Sequence, residues 1–492
     1  MSFILATISH GPRAVNLFVD IPQNFYAGRR NPLWVLMKWL LRKWKGRFFL
    51  CIIFLERKFW GNSHLQRERK NLAMENDSKI AGKIKAQITR FGNWLGEGLK
   101  KPDKKFLREI IYGIQASKDV KLSNISRALG EDIPLIKTET RLSRNAAKAD
   151  LAEVVNQRLL EGGKTRIKED TVLAIDIGDI DKPYARAMEY LALVRDGSTG
   201  ENRSTGYWTI EVIGADVEGE ELVPLYGELY SQEADDFVSE NRQILKAIDA
   251  VVSHVGSRGI WAMDRGGDRG KLLEEILEKG LKFVTRLRGD RHLECDWDKK
   301  RAAVLANKCP CTHERTIEIE KDGIRETKRL FLGSKRVYLP GYSEPLTLMV
   351  VKGYGERPLM LLTNLDVGKA GLDRILEIYL TRWKCEESYR FIKQGYNLED
   401  IRLQSYTGLR NMVVLVQAVF YFVSVELGRK LKLNILLKKV YEKAKRFFEI
   451  PEFRQYAIAD GIYRILFSYR AGLREELLKP SPQLSFSFVT LT

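Results

Sequence analysis

Two aspartates of this 492-residue chain stand where apolar strands run, and a glutamate shares a narrow stripe with two cations and a phenol. In TVLAIDIGDIDKPY, strand alternation puts Val172, Ala174, Asp176 and Gly178 on one face and Leu173, Ile175 and Ile177 on the other. A carboxylate in such a strand is costly unless a metal, a cation or hydrogen bonds compensate it. GIWAMDRGGDRGKL follows the same grammar, with apolar residues leading to Asp264 at a strand end before a Gly-rich turn. Asp268 reads as the N-cap of a helix beginning at about Arg269. YLTRWKCEESYRFIK reads as one helix, on which Tyr379, Arg382, Glu386 and Lys393 fall at about 0°, −60°, −20° and −40°. The plain alternative is an exposed helix laced with ion pairs. Three carboxylates from separate elements can hold two divalent cations about 3.5–4 Å apart. Hard oxygen ligands, with no paired His/Cys set, favour Mg²⁺ over Zn²⁺. CPCTH, with Cys309, Cys311 and His313, has the wrong spacing for the usual structural zinc patterns and no fourth ligand.

The elements that must position these acids follow from periodicity. From about Asn76 to Glu169 the apolar spacing is helical, in FLREIIYGIQAS, LSNISRALG and LAEVVNQRLLEGG. Within it, VKLSNISRALGEDIPLIKTETRLSRN fits either a helix-turn-helix reader, with Lys137, Arg141 and Arg144 on its second segment, or a plain three-helix module. Strands then alternate with helices: TVLAIDI, GYWTIEVIGADV and LVPLYGELY are strands, and a helix over VSENRQILKAIDAVVSHV leads to the strand GIWAMD. The helix KLLEEILEKG and the strand KFVTRLRG come next, which makes the core α/β with a mixed sheet. Between about Asp290 and Arg357 helical patterning disappears, and RTIEIEKDGIRETKRLFL reads as a hairpin turning at Asp322-Gly323. PLMLLTNLD supplies one more core strand, and from about Tyr396 the chain is helical to its end. The apolar run NMVVLVQAVFYFVSVELG is read as a buried core helix rather than a membrane span, because amphipathic helices flank it.

Lys and Arg outnumber Asp and Glu by 82 to 64, a formal charge of +18, which points to a polyanionic partner. Five scattered cysteines make no disulfide framework and favour a reducing, cytoplasmic compartment. Residues 1–73 form a basic, aromatic extension whose uncharged run Phe48 to Leu55 is too short to cross a bilayer. Ordinary patterning begins at Met74, so the extension reads as a surface-binding segment or as sequence upstream of the working start.

The spacing Tyr379-x2-Arg382-x3-Glu386-x6-Lys393 resembles the Tyr-Arg-Glu-Lys signature of DDE insertion-sequence transposases, the family of the fourth insertion sequence. DRGGD at 264–268 resembles that family's second-aspartate motif and LAIDIGDIDKPYA its first-aspartate strand, with the similarity spanning roughly residues 75 to 480. The chain departs from the family at Gly178, where a hydroxyl residue often follows the first acid by two places, and this leaves Asp179 as a competitor to Asp176.

The resemblance implies an α/β fold: an RNase H-like catalytic domain at 170–396 interrupted by an all-β insertion at about 290–357, with helical domains at 74–169, binding DNA, and 397–492. It implies that Asp176, Asp264 and Glu386 are catalytic and bind two Mg²⁺ ions, with Mn²⁺ able to substitute. DNA contacts are expected from Tyr379, Arg382, Lys393, Arg286, Arg288, Arg402 and Arg410. The aromatic Trp297 is a further candidate, for stacking on a displaced base. The implied partners are double-stranded DNA, as terminal inverted repeats and target, and a second copy of the chain in a synaptic dimer, at the nucleoid of a prokaryotic cytoplasm without a membrane. Two competing readings use the same residues: a structure-specific nuclease or resolvase without strand transfer, and a DNA-binding protein that no longer cuts.

Overall fold

The computed structural model describes residues 3–10, 13–20 and 63–468, apart from 196–202, 220, 322–323, 430, 433–434 and 436–453. The basic apolar stretch between Arg30 and Trp60 and the Asp322-Gly323 turn therefore lie outside the described residues. The chain divides into two units, residues 1–77 and 78–492. In the first, strands β1 (Phe3–His10) and β2 (Arg13–Asp20) pair antiparallel, Phe3 opposite Asp20. Helix α1 (Ser63–Leu95) runs across the boundary.

The second unit continues with four helices, α2 (Lys101–Ser117), α3 (Leu122–Leu129), α4 (Leu135–Lys148) and α5 (Ala152–Gly163). Gly130 ends α3 in the left-handed conformation, as a glycine C-cap does. Of the basic residues on α4, Arg141 is bound to Glu109 and Glu131, while Lys137 and Arg144 are exposed.

Ten strands then form one sheet. Its centre is built from β3 (Val172–Asp181), β5 (Arg203–Ala215) and β6 (Leu222–Tyr230), paired antiparallel, with β4 (Ala192–Arg195) also on β5. On the other edge of β3 lie β7 (Ile260–Met263) and β8 (Lys282–Arg286), both parallel. Parallel neighbours need crossover connections, and helices α6 (Glu240–Val255) and α7 (Gly270–Glu278) supply them. Ser239 caps α6 by accepting from the Arg242 amide.

The segment after β8 extends this sheet, and it is not wholly β. After a small hairpin of β9 (His292–Cys295) and β10 (Asp298–Arg301) comes helix α8 (Ala302–Lys308). Its sequence AAVLANK is too short for helical periodicity to register, which is why the sequence reads as helix-free there. Strands β11 (His313–Lys321), β12 (Ile324–Val337), β13 (Leu346–Lys352) and β14 (Leu359–Thr363) pair antiparallel in turn, and β14 closes onto β8. Trp297 follows Asp296 in the turn of the small hairpin, both at positive φ, with its ring fully exposed.

The stripe expected on one helix is carried by two. After a short turn of helix α9 (Val367–Ala370), helix α10 (Leu372–Thr381) and helix α11 (Trp383–Gly395) meet at Arg382. The Thr381 hydroxyl donates to the Glu377 carbonyl four residues back, a bond that competes with the helix ladder and bends helices. At the junction the Arg382 and Cys385 amides bond three residues back, to Tyr379 and Arg382. Helix α12 (Tyr406–Tyr421) runs on through a π-helical turn at Phe422–Glu426. Among the described residues this stretch is long and apolar enough to cross a membrane, and 83% of its apolar window is buried inside the protein. Helix α13 (Gln455–Ser468) follows.

Candidate active site

Asp176 and Asp264 are neighbours because of strand register. The pairing that sets Val172 beside Ile260 and Ala174 beside Ala262 puts Asp176 next to Asp264 two residues further on. Asp264 itself is extended, at φ −77° and ψ −167°, so it prolongs β7 past its last ladder pair. One oxygen of each acid is engaged: Asp176 Oδ1 accepts from the Ile177 amide at 3.0 Å, and Asp264 Oδ1 from the Gly266 amide at 2.6 Å. Both acids line a cavity of about 520 Å³ with Ile175, Trp208 and Arg265.

Helix α11 lies across the same face. The Cys385 thiol reaches the Ala174 carbonyl at 3.8 Å, and the Tyr389 hydroxyl donates to the Asp179 carbonyl. This packing accounts for Gly178. A Cβ at that position would lie 2.3 Å from Tyr389 Cζ, so the phenol ring occupies the volume that a hydroxyl residue would need. Gly178→Ala should destabilise the protein by about 1–3 kcal/mol, the usual cost of overpacking. A lower chemical-denaturation midpoint is the expected result; an unchanged midpoint would mean that the ring moves aside freely.

Glu386, the third acid, is held by Arg382, whose Nη2 donates to Glu386 Oε1 at 2.6 Å. Arg382 is only 9% exposed, its guanidinium carbon 5.6 Å from the centre of the Tyr379 ring, and its Nε and Nη1 have no hydrogen-bond partner. Lys393 pairs with Glu399 at 2.8 Å and with Asp179 at 3.3 Å. Asp179 thus shares the Lys393 ammonium with Glu399, whereas Asp176 faces Asp264 and Glu386 with the Arg382 that Glu386 already holds.

Electrostatics record this crowding. Burial first, then Asp264, pushes the Asp176 carboxyl from 3.8 to about 7, with Arg382 opposing and Glu386 adding to the rise. A carboxyl raised in the folded state keeps a proton that the unfolded chain has lost. Between pH of about 4 and 7 it therefore lowers stability as pH rises. A nearby cation would reverse that sign by favouring the ionised form. Glu211, opposite Asp176 on β5, is pushed up to about 8 by burial and then by Asp176, and its Oε2 has no partner. Sequence reasoning passed over Glu211, although Tyr207, Thr209, Glu211 and Ile213 alternate as the Asp176 strand does.

The donor set suits a hard divalent cation: three carboxylates, no sulfur or imidazole among them, and like charges that a cation would relieve. It is not yet gathered. Among the described residues no three acidic, His or Cys side chains stand close enough to hold an ion, and Glu386 is occupied by Arg382.

The other basic candidates are spread more widely. Arg286 ends β8 opposite Leu361. Arg288 lines a cavity of about 700 Å³ with Arg269, Arg291, His292 and Lys299. Asp268 is no helix cap, since α7 starts two residues later without a side-chain cap. It is buried and accepts from the Arg288 amide and Arg291 Nε, tying the chain after β8 to the second-acid turn. Arg402 is exposed, whereas Arg410 is taken up by Asp150 at 3.1 Å and Glu228 at 3.4 Å. His313 pairs with Asp373 at 2.8 Å.

No curated protein matches this chain. Among solved structures, it is similar to the piggyBac transposase in its synaptic complex with hairpin DNA, at 11% identity and a TM-score of 0.40, over 82% of this chain and 80% of that one. Residues 226–422 match the family described as Transposase DDE domain, a stretch that contains Asp264 and Glu386 and begins downstream of Asp176.

Proposed function

We propose that this protein is a DNA transposase of the DDE type, which cleaves the ends of its own insertion sequence and joins them to target DNA. The observation that carries this reading is the register of β3 and β7, which sets Asp176 beside Asp264 under the helix bearing Glu386. The match of residues 226–422 to transposase DDE domains supports it independently. The strand order β6-β5-β3-β7-β8, antiparallel up to β3 and parallel beyond, supports an RNase H-like core. The Tyr-Arg-Glu-Lys spacing supports membership of the family of the fourth insertion sequence.

Asp176, Asp264 and Glu386 would hold two Mg²⁺ ions, Glu386 by leaving Arg382. Bound there, such ions would lower the pKa of a water nucleophile and stabilise the leaving oxygen. Freed of Glu386, Arg382 has its whole donor edge available to a phosphate, and Tyr379 offers a hydroxyl beside it. Lys393 adds positive charge near the same backbone. The partners are the terminal inverted repeats, target DNA and a second copy of the chain, since two ends must be brought together.

The test is gel-shift, cutting and joining on the DNA that flanks the reading frame. Mg²⁺-dependent nicking at the repeat ends, followed by joining of the 3′-hydroxyls to a plasmid, is the expected result. Cutting without joining would favour a nuclease or resolvase, and binding without cutting a DNA-binding protein that has lost its chemistry.

A further inference from the structure

The turn between β13 and β14 carries a second phenol toward the Tyr379–Arg382 junction. Gly353 opens that turn at φ 91°, and a Cβ there would meet the Arg329 carbonyl oxygen at 2.4 Å, so glycine is required to lay the turn against β12. The Lys328 ammonium donates to the Tyr354 carbonyl at 3.3 Å and ties the next residue down. The Tyr354 ring is half-buried against the smaller apolar cluster, which includes Ile375, Ile378 and Tyr379.

The groups that act on its hydroxyl are Tyr379, Arg286, Arg382 and Glu386. Burial first, then the Tyr379 phenol, pushes it above the ordinary range, so it remains a hydrogen-bond donor at neutral pH. Arg286, at the end of β8 where β14 adjoins it, is among the charges that act on that hydroxyl. Tyr354 thus packs against the cluster that holds Tyr379, whose ring lies 5.6 Å from the Arg382 guanidinium that grips Glu386. Arg382 still has two buried donor nitrogens, Nε and Nη1, without partners, and a buried unmatched donor is costly unless an acceptor arrives.

We propose that Tyr354 is a phosphate-binding residue of this site: with Arg286, Tyr379 and Arg382 it holds a non-bridging oxygen of a DNA backbone phosphate beside the three acids. This rests on the transposase reading and adds to it a residue outside the Tyr-Arg-Glu-Lys spacing. The sheet extension after β8 then has a task at the site, because β13 and β14 deliver the turn.

The experiment uses the full chain, duplex DNA from the repeat ends, and the same duplex with one neutral methylphosphonate at each phosphate flanking the cut in turn. Tyr354→Phe removes the hydroxyl and keeps the ring. It should slow cutting about 10-fold, the effect of one hydrogen bond to a charged group, with the melting temperature unchanged. At one phosphate the methylphosphonate should slow the wild-type protein and leave Tyr354→Phe with no further loss. Tyr354→Phe that cuts as fast as the wild type, or losses that multiply independently at every phosphate, would overturn the inference and leave the transposase reading standing. A wild-type protein that neither binds nor cuts this DNA would overturn both.

Discussion

Asp176→Asn, Asp264→Asn and Glu386→Gln should each reduce DNA cutting and joining by a factor on the order of 10³ or more, while the end DNA is still bound within a few fold. The reason is geometric. Asp176 and Asp264 stand side by side by strand register, and burial plus mutual repulsion already opposes the charge on Asp176. Each amide keeps the shape of its acid and removes the charge that draws a cation there. Asp179→Asn is the informative contrast, because Asp179 is paired with Lys393 and should leave most of the activity in place. Single-turnover cutting of labelled end DNA measures all four variants. A protein that loses cutting with Asp179→Asn and keeps it with Asp176→Asn would move the first ligand to Asp179.

The second large effect is expected at Arg382. Arg382→Ala should slow cutting about 10²-fold, the order of loss when one preorganised donor to a developing oxyanion is removed. Arg382→Lys should recover little of it, because a single ammonium cannot reproduce the guanidinium fork. The pH dependence carries a separate signature. Arg382 is the one group among those acting on Asp176 whose charge holds that carboxyl down, so its loss lets the carboxyl rise further above about 7. The rising limb of the pH–rate profile should therefore move to higher pH in Arg382→Ala. A profile that keeps its position as the rate falls would separate Arg382 from the acids and leave it only a role in phosphate binding.

Much of the local arrangement was legible in the sequence, because acids interrupt apolar strands at few places. Alternation picked out Asp176, and the run GIWAM picked out Asp264 at a strand end. What alternation could not convey is register between strands distant in sequence, and register is what makes these two acids neighbours. Glu211 shows the same limit, since its place opposite Asp176 depends on the antiparallel pairing of β3 with β5. The stripe from Tyr379 to Lys393 reads as a single helix because Thr381 and Arg382 carry no strong helix breaker, and the junction shows only as a tightening to three-residue bonds at Arg382 and Cys385. In sequence Lys393, on the stripe, and Arg410, just beyond it, both read as cations available to a phosphate. Ion pairs with Asp179, Asp150 and Glu228, all remote in the chain, and with the nearby Glu399 decide what each is doing. Gly178, a departure from the family pattern, is explained by Tyr389, a residue more than two hundred positions away.

On the proposed function, three acids from β3, the end of β7 and α11 close around divalent cations. The most direct test is diffraction from crystals grown with Mn²⁺ and end DNA, with the ion located by its anomalous signal. Manganese bound by Asp176 and Asp264, with the Glu386 carboxylate released from Arg382 and turned onto the ion, is the expected result. Manganese bound elsewhere, or a DNA complex in which Glu386 stays on Arg382 and the two aspartates hold no ion, would contradict it.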